Sequence, residues 1–145
     1  MYIPPYKQLL ESVKNKASAA NSEDVVSIPI DVLKFIMQAA LASCEFDENN
    51  YLRENPDVAN GPVRDGTLTA KQHYVGYGYF EGRKGGMPVV DERWYEATYK
   101  DVAGAIKKGA AKSATDHFED AGAIEGRAPS KRHLEIADAW KRLAG

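Results

Sequence analysis

Cysteine is nearly absent from these 145 residues. Cys44 stands alone, so neither an intrachain disulfide framework nor a cysteine-rich zinc site can form. Charge of one sign is lacking too: 19 basic side chains against 21 acidic ones leave a net charge of −2, which supplies no general attraction for nucleic acid or an anionic membrane. No stretch approaches the roughly twenty apolar residues that span a bilayer. The start, Met1-Tyr-Ile-Pro-Pro-Tyr6, has neither the basic flank nor the apolar run of a secretory signal. Walker and Gly-x-Gly-x-x-Gly sequences are missing, so the glycines do not point to a phosphate cradle. These absences set the expectations: no nucleic acid, no transmembrane segment, no cofactor, and a cytoplasmic location.

What is present is a repeat. Asp47-Glu48, Tyr51, Asp57-Val58-Ala59, Ala70, His73, Gly78 and Glu81-Gly82-Arg83 recur as Asp91-Glu92, Tyr95, Asp101-Val102-Ala103, Ala114, His117, Gly122 and Glu125-Gly126-Arg127, a spacing of 44 residues. Between Ala59 and Gly66 the first unit is one residue longer than the second is between Ala103 and Gly109, and the second recovers that residue before its histidine. A compensated shift of this kind belongs in a surface connection. Two units are too few for an open solenoid, so their outer faces need covers.

The apolar spacing is helical throughout, and 43% hydrophobic with 28% charged residues suits one globular domain. A first helix is expected near Tyr6, ending around Ser18–Asp24, with Leu9, Leu10 and Val13 as its stripe. A second follows Ser27-Ile28-Pro29, where Leu33, Ile36, Met37, Ala40 and Leu41 form a face that covers the repeats or meets a second copy. Asp47 and Asp91 are expected to cap short helices, and Gly78 and Gly122 to stop the later helix of each unit by left-handed geometry. That later helix carries Ala70, His73, Tyr74 and Tyr77. Lys131–Leu143 closes the chain, with Ser130 as a cap, Trp140 as an anchor and His133 on its surface. The expected fold is therefore all-α: a compact helical domain over 1–145, comprising a helical cover (1–45), two related helix-turn-helix repeats (46–85 and 90–128) and a terminal helix (129–145).

Tyr51-Leu-Arg-Glu-Asn-Pro-Asp-Val-Ala59, His73-Tyr74, Gly78 and Glu81-Gly-Arg83 together resemble a bacterial Asn-Pro-Asp-Val-Ala/His-Tyr/Glu-Gly-Arg repeat module. Trp94-Tyr95, Tyr99-Lys-Asp-Val-Ala103, His117-Phe118 and Glu125-Gly-Arg127 form a degenerate second match. Some proteins carrying such modules are associated with surface polysaccharides or glycosyl transfer, which the resemblance extends to this chain as an expectation. It supplies no catalytic role.

Reactive side chains read first as packing devices. His73 and His117, with Glu81 and Glu125, are expected to form short polar networks that couple the duplicated helices to their Glu-Gly-Arg turns. The adjacent acids Asp47-Glu48 and Asp91-Glu92 lack the facing arrangement that glycoside hydrolysis needs. Ser113 near His117 lacks a nucleophile elbow, and no His-x-x-x-His spacing supports a metal. Arg83 and Arg127, together with Tyr77 and Tyr79, are candidates for binding a partner or an anionic glycan. The leading expectation is a noncatalytic interaction or scaffold module with a protein partner, linked to cell-envelope polysaccharide assembly. The alternatives are a glycan-processing enzyme using a histidine-carboxylate cleft and a carbohydrate-binding module, and a homodimer through the second helix stays open.

Overall fold

Prolines punctuate the first third of the chain. Pro5 accepts from the Leu9 backbone N–H and starts helix α1 (Tyr6–Ala19), and Pro29, at φ −59°, starts α2 (Ile30–Ala42). No side chain caps α2. A computed structural model describes residues 2–19 and 27–144; the expected end of the first helix beyond Ala19 lies outside the described residues. Among the described residues the regular structure is helical and strands are absent, giving a compact all-α fold. No helix there is long and apolar enough to cross a membrane.

Two related sets of elements follow. Helix α3 (Glu48–Glu54) is broken at Asn55 and continues as α4 (Pro56–Val58), because the residue before proline resists helical geometry. The chain then kinks at Gly61 and resumes in α5 (Ala70–His73), which passes through a π-helical turn (Tyr74–Gly78) into α6 (Tyr79–Glu81). In the second set, α7 (Glu92–Thr98) is followed by α8 (Lys100–Lys107), and α9 (Ala114–His117) enters a π-helical turn at Phe118–Gly122. The helix α8 has no counterpart of the Gly61-Pro62 kink, and this is where the unit lengths differ. A short 3₁₀ turn, Lys131–His133, leads into α10 (Leu134–Ala144).

Each set has its own core. Tyr51, Val58, Ala70, Tyr74 and Tyr79 pack with Met37 and Leu41 of α2, while Tyr95, Val102, Ala114, Phe118 and Ala123 pack with Ala137 of α10. Neighbouring residues at the start of the chain enter different cores, Tyr2 the second and Ile3 the first. Trp140 touches both and donates its indole N–H to the Tyr2 carbonyl at 3.1 Å. The apolar face of α2 is split. Met37 and Leu41 are buried, but Ile36, expected on the covering face, is 55% exposed because each helical residue turns about 100° and Ile36 falls outside the buried arc.

His133 corrects the sequence reading most sharply. Expected at the surface, it is 2% exposed, with Nδ1 2.9 Å from the Ser130 hydroxyl and Nε2 3.1 Å from a Glu45 carboxylate oxygen. The 3₁₀ turn points the ring inward, against the edge of Tyr2, before α10 begins. Ser130 consequently serves His133 instead of capping the helix. Burial holds His133 below its ordinary value, so its ring is neutral at pH 7, while Arg132 also pairs with Glu45. This contact ties the loop after α2 to the terminal segment across 88 residues of chain. Replacing His133 with Leu leaves Ser130 and Glu45 without their imidazole partner, and a loss of about 1–3 kcal/mol is expected in urea unfolding.

Candidate functional site

In both units a tyrosine hydroxyl is seated against bare backbone. Asp47 and Asp91 accept the backbone N–H of Asn50 and Trp94, each at 3.0 Å, and so begin α3 and α7. These helices deliver the fully buried rings of Tyr51 and Tyr95. The Tyr51 hydroxyl shares a hydrogen bond with His73 Nδ1 at 2.9 Å, and the Tyr95 hydroxyl with His117 Nδ1 at 3.2 Å. Gly78 and Gly122 lie beside these hydroxyls, where an added Cβ would overlap the tyrosine oxygen. Neither glycine takes the helix-stopping geometry expected of it; Gly78 is helical at φ −57°, and steric clearance is what excludes a side chain. Left-handed backbone occurs four residues later, at Gly82 (φ 72°) and Gly126 (φ 71°), where the helical segments turn. Burial pushes the Tyr51 phenol up to about 12 and raises that of Tyr95 further, so both keep their protons.

The π-helical turns set which side chains face inward. A wider turn inserts one residue, so the inner position after Tyr74 is taken by Tyr79, and after Phe118 by Ala123. Tyr79 is buried and donates its hydroxyl to the Pro4 carbonyl at 2.6 Å, while Tyr77 is turned outward. An aromatic platform of Tyr77 with Tyr79 therefore does not exist. A 3.6-residue period would set Tyr77 on the inner face with Tyr74, but that period does not carry across a π turn.

The arginines are engaged. Arg83 donates to Asp57 at 2.8 Å and to Glu81 at 2.6 Å; Arg127 donates to Asp101 at 2.7 Å and to Glu125 at 2.6 Å. Arg127 also lies over the Tyr99 ring, 4.9 Å from its centroid. The Arg127 hydrogen bond brings Asp101 down to about 2, although the carboxylates are open to water and such pairs contribute little stability. Histidine and glutamate thus sit in separate networks, His with Tyr and Glu with Arg, instead of the expected His-to-turn coupling. Where the motif departs from itself, different atoms bridge equivalent places. Asn55 Nδ2 donates to the Lys84 carbonyl, and at the corresponding positions the Ala128 N–H donates to the Tyr99 hydroxyl, each at 2.9 Å.

Glu119, unremarked in the sequence, joins the two units. Its carboxylate accepts Asn50 Nδ2 at 2.7 Å and the Gly85 backbone N–H at 3.1 Å, and the next residue, Asp120, pairs with Lys84. Desolvation raises Glu119 to about 6, against the opposing pull of the Gly85 hydrogen bond. The sequence did carry a signal: Glu119 and Asp120 align with Val75 and Gly76, a break in the repeat. In the first unit that same face meets α2, where Gln38 reaches the Gly76 carbonyl.

Two clefts flank this seam. One, of about 440 Å³, is lined by Tyr6, Phe80, Met87, Ile124, Lys7 and Lys84, together with Glu119. The other, about 350 Å³, brings His117 together with Asp116, Glu119, Asp120 and Lys84. No group of three or more His, Cys, Asp or Glu among the described residues is arranged to hold a metal ion. Ser130, His133 and Glu45 have the hydrogen-bonding order of a nucleophile, base and orienting acid, but Ser130 and His133 are buried and out of reach of a substrate. Comparison with family models, with curated proteins and with solved structures finds no match for this chain.

Two outcomes follow from this geometry. Gly78→Ala and Gly122→Ala should each destabilise by about 1–3 kcal/mol, despite alanine's better helix propensity, because the tyrosine must move. Thermal melts of the two single variants measure it, and unchanged midpoints would refute the close approach. For Glu119, the folded state binds the proton more tightly than the unfolded chain, so its contribution to stability falls as pH rises from about 4.5 to about 6. Urea titrations at several pH values should show Glu119→Gln lacking that slope, and an identical pH profile for both proteins would count against the assignment.

Proposed function

We propose that this chain is a noncatalytic interaction module, with α2 as its docking face. The observation that carries this reading is the outward side of α2, where Val32, Phe35 and Ile36 are exposed together and Phe35 is 70% exposed. Scattered apolar residues are normal on protein surfaces, but a contiguous helical stripe marks a place where something docks. The chemistry inside the units supports the same conclusion. His73, His117, Arg83 and Arg127 each serve a neighbouring side chain, which fits a scaffold better than a reaction centre. The resemblance of 46–128 to the bacterial Asn-Pro-Asp-Val-Ala/His-Tyr/Glu-Gly-Arg module is what supports a link of this scaffold to cell-envelope polysaccharide assembly.

The test is capture by crosslinking, comparing the wild type with a Phe35→Glu, Ile36→Glu variant. Both positions are exposed, so the variant should fold with an unchanged melting temperature and lose the partner. Equal capture by both proteins would remove α2 from the interaction.

A second reading is favoured by one observation, the shared cleft of His117, Asp116 and Glu119. With His117 Nδ1 bonded to Tyr95, Nε2 is the nitrogen left for a substrate, and the carboxylates flank it as acid or base for glycan processing. Turnover of a glycan that disappears in a folded His117→Gln variant would support this reading; binding without turnover would indicate a carbohydrate-binding module.

A further inference from the structure

We infer that the occupant of the α2 face is a second copy of this chain, paired through α2 in antiparallel orientation. This rests on the reading of α2 as the docking face and goes further by naming the partner.

The stripe has the spacing of a helix-helix seam. Val32, Phe35, Ala39 and Ala42 follow one another at intervals of three, four and three residues, and all four are exposed on the side opposite Met37 and Leu41. Sizes are graded along it, with large side chains in the N-terminal half and alanines in the C-terminal half. Beside Ala42 the surface falls into a depression of about 450 Å³, lined also by Gln38, Thr69, Lys71, Gln72, Val75 and Gly76, with the Lys71 ammonium donating to the Cys44 carbonyl at 3.1 Å.

Bulk and hollow on one helix come together only under a two-fold axis perpendicular to the helices, which brings each region onto the other in the second copy. With the axis at the level of residue 37, Val32 faces Ala42 and Phe35 faces Ala39. Side chains on a helix lean toward its N-terminus, so the Phe35 ring is carried to the level of the depression in the copy. A parallel pairing would instead stack Phe35 on Phe35 and leave the alanines facing each other across a gap.

Charge does not oppose this arrangement. Asp31 and Lys34 are the charged residues of α2, and Lys34 lies over the Phe80 ring, 5.6 Å from its centroid. Antiparallel pairing separates Asp31 from its own copy by about 18 Å along the helix. The area is also adequate. Counting Ile28, just before the helix, two such patches remove on the order of 1,000 Å² from water, the lower bound for a specific interface. A dimer dissociating in the micromolar range is expected.

Sedimentation equilibrium on the full chain, from about 1 µM to about 300 µM, reads the association. The mass should rise with concentration from 16.0 kDa toward twice that value, and Phe35→Glu should weaken association at least about tenfold with its thermal melt unchanged. Orientation is read by oxidative crosslinking, with buried Cys44 as a background thiol and the wild type as control. Val32→Cys mixed with Ala42→Cys should give a crosslinked pair, whereas either protein alone should not, because the identical positions lie about 15 Å apart along the axis.

A wild type that stays monomeric at the highest concentration overturns the inference. The broader reading is then judged separately, by whether Phe35→Glu, Ile36→Glu abolishes capture of a different protein. A dimer insensitive to Phe35→Glu also overturns it and removes the support for α2 as the docking face. Self-crosslinking of Val32→Cys alone or of Ala42→Cys alone, above the wild-type background from Cys44 and in place of the mixed pair, overturns the antiparallel arrangement.

Discussion

Each unit depends on packing a tyrosine hydroxyl closer to a helix than any side chain on that helix permits. The ring of Tyr51 or Tyr95 is fully buried, so its oxygen needs a partner, and His73 or His117 supplies one. Reaching that partner brings the oxygen against Gly78 or Gly122, and only glycine leaves the space. The aspartate caps at Asp47 and Asp91 fix where the tyrosine helix begins, and the π turn fixes how the histidine helix rotates past it. A single close contact thereby couples a cap, a histidine, a glycine and a helix irregularity.

The places where the two units differ carry the contacts between elements. Val75 and Gly76 lie beside α2, while Glu119 and Asp120 reach from the second unit to Asn50, Lys84 and Gly85 of the first. One structural position therefore meets an apolar helix in one unit and a polar edge in the other. At the far side α10 packs with the second core, and the buried Ser130, His133 and Glu45 chain secures the terminal segment to the loop after α2. The outward face of α2 lies at the end of this succession of covered faces.

Much of the helical fold was legible because its signals are local. Proline before α1 and α2, aspartate before α3 and α7, and apolar residues at helical spacing all act within a few positions. The candidate site was less legible. Tyr79 is inward because a π turn shifts the period, and no residue type announces that turn beforehand. Gly78 read as a stop because glycine commonly is one; its overlap with Tyr51 involves a residue 27 positions away. His133 read as exposed because nothing near it repeats, and Glu45, its partner, is 88 residues distant. Glu119 could have been found as a charged residue where the other unit has valine, a difference that is informative once the units are aligned.

The sequence by itself determined the all-α class, the helix starts and the two-fold recurrence of cap, tyrosine, histidine and glycine, since these follow from hydrogen bonding and periodicity over a few residues. Only the tertiary structure decided which polar groups found each other. Arg83 and Arg127 became clamps for turn carboxylates, Glu119 became the bridge between units, and Val32, Phe35 and Ile36 of α2 stayed outside. The physical reason is that burial and pairing depend on what the rest of the chain brings within a few ångströms, and one added residue per turn is enough to exchange an inward side chain for an outward one.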